Sequence, residues 1–260
     1  CIFVAVENGG RAYNVSLLIF LRKDDDWKAR KLFYGFKVPK TLQEFIVNSQ
    51  FAIGLMYSNN KNADSNDIEA LKWYQQAAEN NLPEAQFNIG KMYANGRGVT
   101  KNEKEALKWF QLAIEKGPVY LKYNLGKMFE EGQEISQNYQ EAVKWYQAAA
   151  EQGDLYAQQT LGIAYETGKL NIEINFNEAI KWYRLAAKQP NTFATFRLGK
   201  MYAEGRGLKQ NRVIAMALIN IDGVSDTNNL FEKLYQKMSA AEINAAKTLC
   251  EDTTKDRFAN

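Results

Sequence analysis

The sequence contains no histidine. That absence removes Ser-His-Asp and Cys-His catalysis, histidine-based zinc sites and histidine pH switching together. Cysteine is almost missing as well: Cys1 and Cys250 are the only two, too few for a zinc cluster or a disulfide framework. A bond between them would have to join the two ends of a long repeat array, which the narrow geometry of a disulfide disfavours. No apolar run reaches the ~20 residues of a membrane-spanning helix, and the longest candidate, Val15 to Leu21, reads as a strand. Neither sign of charge dominates. Lys and Arg number 33 against 30 Asp and Glu, a net charge of +3, which gives little electrostatic support to strong nonspecific nucleic-acid binding. What remains, 46% hydrophobic and 24% charged residues in a chain of 260, fits a folded protein with a substantial buried core.

What is present is repetition. Gly54, Gly90, Gly126, Gly162 and Gly199 follow an apolar residue at spacings of 36, 36, 36 and 37, and Trp73, Trp109, Trp145 and Trp182 keep the beat at 36, 36 and 37. The next step of the tryptophan series lands on Leu218 and marks a degenerate fifth unit. A period in the thirties with two apolar segments per period is the signature of a helix-turn-helix solenoid.

Each half of the unit reads as a helix. In the second half Ala70, Trp73, Tyr74, Ala77 and Ala78 form one apolar stripe at helical period, repeated from Ala106, Ala142 and Ala179. Asn66, Asn102, Asn138 and Asn175 stand three residues before Glu69, Glu105, Glu141 and Glu178, the spacing of a capping-box-like start. The fifth unit keeps Asn211 but has Ile214 in the glutamate's place. In the first half, the recurrent glycine is costly inside a helix, about 1 kcal/mol against alanine, so its return predicts a close approach by a neighbouring helix. Gly96-Arg97-Gly98 and Gly205-Arg206-Gly207 supply residues able to take positive φ at a helix C-terminus.

These residues resemble the Sel1-like repeat family, relatives of the tetratricopeptide repeats, with the best match from Ala85 to Gly117 and coverage of roughly residues 49 to 220. Two departures stand out. The first unit has Ser58-Asn59-Asn60 where the glycine turn belongs, and the fourth carries a longer insert around Leu170-Asn171-Ile172; either marks a candidate specialised surface. The expected fold is mainly α, a right-handed helix-turn-helix solenoid of about five repeats over residues 39–220, with a small antiparallel β-sheet in 1–38 and capping helices and a tail in 221–260.

The flanks support those bounds. Ile2 to Val6, Ala12 to Leu21 and Lys31 to Val38 read as extended runs separated by Glu7-Asn8-Gly9-Gly10 and Asp24-Asp25-Asp26. A small sheet is marginal alone, so it is expected to dock on the first repeats. The aspartates lack the ligand spacing of a calcium loop and read as a solvated turn. After a break at Asp222-Gly223-Val224-Ser225, Leu230 to Met238 and then Ser239 with Glu242 signal two further helices, with fraying from about Thr254.

By resemblance to tetratricopeptide geometry, the first helix of each unit lines a concave face, exposing the positions three before and one after the glycine. Those positions hold Phe51 and Leu55, Phe87 and Lys91, Tyr123 and Lys127, Gln159 and Ile163, and Phe196 and Lys200. Aromatic bodies beside ammonium groups would hold an acidic, partly apolar partner segment; packing within the solenoid is the alternative explanation for the aromatics. A second lysine row, Lys72, Lys108, Lys144 and Lys181, reads as a solvent-facing row without function.

No cofactor or metal is expected, and the leading expectation is a non-catalytic protein-binding scaffold that does not bind nucleic acid. The family resemblance implies adaptor roles, and for some bacterial members a periplasmic immunity role against toxic effectors, lipases among them, of contact-dependent (type VI-like) secretion systems. The alternatives are a cytosolic or host-interaction adaptor, or a hydrolase of the β-lactamase-like type. For the last, Glu130, Glu131 and Glu166 are the carboxylates considered for acid-base work, although their spacing does not set them apart from a solvated face. A cysteine in first place matches the lipid-bearing residue of a mature bacterial lipoprotein, so Cys1 is an expected lipid anchor, the only membrane tether foreseen; the alternative is that Cys1 is a truncation point.

Overall fold

The computed structural model describes residues 2–8, 15–23, 26–31, 41–59, 64–189, 192–220 and 230–258, with the backbone alone for 2–31, 42, 64, 65, 192, 220 and 251–258. The chain divides into an N-terminal body, Cys1–Gly117, and a C-terminal body, Pro118–Asn260.

In the N-terminal body, α1 (Leu42–Asn59), α2 (Asp64–Glu79), α3 (Pro83–Asn95) and α4 (Glu103–Lys116) pack each on the next. The alanines of the second-helix stripe explain how closely they do so. Ala70 and Ala77 of α2, facing Ala85 of α3, are completely buried, with Tyr74, Ile89 and Met92 in the same core. Three strands, β1 (Ile2–Asn8), β2 (Val15–Lys23) and β3 (Asp26–Lys31), are traced in backbone with antiparallel pairing in the order β1-β2-β3. No described side chain supports the expected sheet or its docking on the repeats, and the fold class rests on the helices. Asp24-Asp25 and most of Lys31 to Val38, like Cys1, lie outside the described residues.

In the C-terminal body, α5 (Tyr120–Glu131), α6 (Tyr139–Ala150), α7 (Leu155–Thr167), α8 (Phe176–Ala187), α9 (Thr192–Glu204) and α10 (Arg212–Asn220) again pack in sequence, and α10 also meets α11 (Leu230–Tyr235) and α12 (Ala240–Phe258). This nearest-neighbour order is that of a helical-repeat solenoid. Helix α12 runs to Phe258, past the fraying expected at Thr254, because Glu251 to Phe258 contains no glycine or proline to stop it. The break expected at residues 222–225 lies outside the described residues.

The recurrent glycines have one structural cause. A Cβ on Gly54, Gly90 or Gly126 would come within 2.6, 2.6 and 2.9 Å of the rings of Tyr74, Phe110 and Tyr146. The same clash awaits at Gly162 against Tyr183, and at Gly199 against Ile219, at 2.8 Å. The partner helix is therefore the second of the same repeat, whose aromatic after the tryptophan packs directly on the glycine. At the fifth repeat Ile219 takes over, so the pair stays closed after tryptophan and tyrosine are gone.

Helix starts follow the asparagines in four repeats. Asn102, Asn138 and Asn175 accept from the N–H of Glu105, Glu141 and Glu178, each at 3.1 Å, and Asn211 accepts from Ile214 at 3.0 Å. The first repeat corrects the expectation: α2 already includes Asp64, and Asn66 lies inside it. Asp64-Ser65-Asn66 offers three good capping residues in a row, so composition alone does not choose among them. The box at Ser239 is complete, with Glu242 donating its N–H to the Ser239 hydroxyl at 3.3 Å and accepting the Ser239 N–H at 2.8 Å. The Ser239 N–H, and after it the Ser239 hydroxyl donating at 3.0 Å, hold the Glu242 carboxyl below its ordinary pKa.

The glycine turns take the left-handed conformation foreseen for them. Gly96 ends α3 at φ +69 and donates its N–H to Met92. Gly98, at φ +67, lies so close to α2 that a Cβ would stand 2.7 Å from the Asp67 carbonyl carbon. Between them Arg97 clamps the preceding repeat, its Nε and Nη2 reaching the two Asp67 carboxylate oxygens at 3.1 and 2.6 Å and the Ser58 carbonyl at 2.8 Å. In the fourth repeat, Leu170 and Asn171 adopt positive φ of 60 and 54 without being glycine, and Leu170 is buried.

Candidate protein-binding site

The ten residues predicted to line a binding face divide sharply. Phe51 and Phe87 are only 7% and 6% exposed, with ring centroids 5.7 Å from Tyr74 and 4.8 Å from Phe110. The expectation that they face a partner is therefore corrected in favour of packing. The reason is helical geometry: a residue three before the glycine shares its face, and that face meets the ring of the second helix. Leu55 packs on the core of the N-terminal body, Ile163 and Phe196 are partly buried against cores of the C-terminal body, and Lys91 is half-buried. Gln159 is half-buried, and its Nε2 finds no hydrogen-bond acceptor among the described residues.

The lysines are not bare charges either. Lys127 stands 3.5 Å from Glu131 and Lys200 3.9 Å from Glu204. The second row is exposed and paired one helical turn back: Lys72, Lys108, Lys144 and Lys181 lie 2.6, 2.9, 3.2 and 3.0 Å from Glu69, Glu105, Glu141 and Glu178. Such exposed pairs contribute little to stability.

Three of the ten converge. Tyr123, Lys127 and Ile163 line one partly open cavity of about 250 Å³ in the C-terminal body, with Glu130, Tyr146, Thr160, Lys169 and Leu170 completing most of its wall. Helices α5 and α7 supply most of it, and the fourth-repeat insert supplies Lys169 and Leu170. The Tyr123 ring lies 5.5 Å from Tyr146 and 5.9 Å from Tyr156. A second cavity of about 400 Å³ lies on the other side of the insert, lined by Asn138, Tyr139, Gln140, Val143, Leu170, Asn171 and Ile172. Leu170 walls both. Its length irregularity was visible in the sequence; the left-handed backbone that turns it inward was not.

Two of the three carboxylates considered for acid-base work are committed to phenols. Tyr146 donates to Glu130 Oε2 at 2.5 Å and Tyr183 to Glu166 Oε2 at 2.8 Å. Burial first, and then the bonded glutamate, pushes both phenol pKa values well above the ordinary range. Glu166 is also met by Arg197, Nε at 3.0 Å and Nη2 at 2.5 Å, and by Arg206 at 3.7 Å. Its side chain is 4% exposed, an anion neutralised by two arginines and therefore a structural tie. Glu131 is exposed and paired with Lys127.

The comparisons with known proteins agree with this geometry. A family profile described as Sel1 repeat matches residues 47–82, 83–118, 121–154, 155–191 and 192–219. A protective antigen present in uropathogenic Escherichia coli strains is 33% identical, with a TM-score of 0.52, over 66% of this chain and 37% of that one. The chain thus spans little more than a third of that antigen's length. A Sel1 repeat protein from Oxalobacter formigenes is 31% identical with a TM-score of 0.51, covering 79% of this chain and 78% of its own. An immunity protein from Pseudomonas aeruginosa is similar at 15% identity and a TM-score of 0.32, over 80% of this chain and 84% of that one, too slight a likeness to bear on function. No curated protein sequence matches the chain.

Proposed function

Because the chain belongs to the Sel1 repeat family, we propose that it is a non-catalytic protein-binding scaffold whose partner engages the cavity of the C-terminal body at Tyr123, Lys127 and Ile163. The observation that carries this reading is the convergence of these three, out of ten periodic positions, on one open cavity that the irregular fourth-repeat insert also walls. Glu130 and Glu166 accept hydrogen bonds from phenols whose pKa values are raised, which suits fixed acceptors better than proton shuttles. A half-buried aromatic beside an aliphatic and a charged group at a cavity wall suits protein recognition.

The narrower reading is that the partner is a toxic effector of a contact-dependent secretion system and that the protein acts as an immunity factor in the periplasm. Its support is the resemblance named from the sequence, in which some bacterial members do this. Calorimetry of the purified chain against the effector encoded beside it tests both levels. One-to-one binding, weakened at least about tenfold, or 1.4 kcal/mol, by Tyr123→Ala, is the expected result. Binding that ignores Tyr123, Lys127 and Ile163 would move the site elsewhere, and absence of any effector binding or cell protection would remove the immunity reading.

A further inference from the structure

The repeats provide an internal template for what the first cavity lacks. Counting from the repeat glycines, Glu130 and Glu166 both stand four residues after Gly126 and Gly162, and Tyr146 and Tyr183 are the aromatics that cover those glycines. The two cations on Glu166 come from the following repeat: Arg197 lies two residues before Gly199 and Arg206 seven after it. One repeat earlier, the same two positions relative to Gly162 hold Thr160 and Lys169. Both line the cavity with Glu130, and among the described residues no cation pairs with that carboxylate. The phenol-bonded glutamate thus occurs twice, once buried and closed by arginines of its own chain and once half-buried and open.

Resting on the scaffold reading above, we propose that the cavity between Glu130, Tyr146 and Thr160 receives an arginine side chain of the protein partner, its guanidinium lying on Glu130 as Arg197 lies on Glu166. The volume of about 250 Å³, against about 30 Å³ for one water, leaves room for a long side chain. The walls suit the planar group. Arg197 lies 6.0 Å from the Tyr183 ring and 5.9 Å from the Phe193 ring, and the cavity is lined by Tyr146 and Tyr123, the latter in the position held by Gln159 in the next repeat. Guanidinium stacks on such rings and is more weakly hydrated than ammonium. The lysines in the wall do not oppose it: Lys127 is engaged by Glu131, and Lys169 stands in the register of Arg206, which shares Glu166 with Arg197. The charge preference at this point is therefore for a basic residue, opposite to the acidic segment that the lysines suggested in sequence.

The test uses the intact, isotope-labelled chain and three probes, the N-acetyl amides of arginine, of lysine and of citrulline, the last a neutral isostere of arginine. Saturable amide shifts at Thr160, Ile163 and Ala164 are expected with the arginine probe, at least about fivefold weaker with citrulline, and lost in Glu130→Gln. No saturable shift, equal response to citrulline, or shifts that survive Glu130→Gln would overturn the proposal. Thr160→Arg supplies the missing group from the chain itself. It should raise Tm by about 2 °C or more, abolish the probe shifts, and lose the added stability in the Glu130→Gln background. An unchanged or lowered Tm with probe shifts intact overturns the proposal. A protein partner that binds wild type and Thr160→Arg equally would end this inference and leave the scaffold reading standing; a chain that binds no protein partner would end the scaffold reading whatever the probes do.

Discussion

Arg197 and Glu166 are joined across two consecutive repeats, Nη2 to Oε2 at 2.5 Å and Nε to the same oxygen at 3.0 Å, with the Tyr183 hydroxyl on it as well. A glutamate with a 4% exposed side chain would be expensive to bury alone, and the bond that makes it tolerable ties α9 to α7. Interface and anion are thereby interdependent.

Removing one partner should therefore cost more than removing both. Arg197→Ala leaves a buried charge and is expected to destabilise by about 3 kcal/mol, roughly 6–12 °C in Tm for a chain of this size. Glu166→Gln combined with Arg197→Met should recover part of that loss. Thermal melts of the three variants check the order; a double variant less stable than Arg197→Ala would refute the role given to the pair.

Gly162→Ala sets two known effects against each other. Alanine gains about 1 kcal/mol of helix propensity, but its Cβ meets a Tyr183 ring that is completely buried and fixed through its hydroxyl to Glu166. Overpacking of this kind costs about 1–3 kcal/mol, so net loss is expected in urea denaturation. A variant as stable as wild type would show that the ring can yield.

The capping asparagines should each contribute measurably. Asn138→Ala removes the bond accepted from Glu141 and should cost about 1 kcal/mol, and Asn102→Ala, which removes the equivalent bond from Glu105, should cost about the same. Urea denaturation of the two variants checks this; an unchanged midpoint in either would show that its helix start does not depend on the asparagine.

Alkaline pH should expose three of the 14 tyrosines as a separate class. Burial pushes the Tyr74 phenol up to about 12, and Tyr146 and Tyr183 higher still with the help of Glu130 and Glu166. The protonated phenol is the form the fold favours, while an unfolded phenol ionises near pH 10. The stability these groups contribute is thus complete below about pH 10 and is lost as pH rises through the folded values. Phenolate absorbance should show these three ionising late and together with loss of helical ellipticity; their titration with the exposed tyrosines, in a chain still folded, would contradict the burial described.

The sequence by itself determined the repeat, its register and most helix starts, because these depend on neighbours close in the chain: an asparagine and the N–H three residues on, an apolar stripe at helical period, a glycine before a turn. Glycine recurrence even announced a close approach. What it left open was which atoms meet across helices. Phe51 and Phe87 looked like Tyr123, yet only in the C-terminal body does an arginine give way to Thr160 and an insert turn Leu170 inward through a left-handed backbone, opening a cavity beside Tyr123. Whether a periodic residue is packed or offered depends on side chains 30 to 40 residues away, such as Arg197 upon Glu166, and only tertiary structure brings those together.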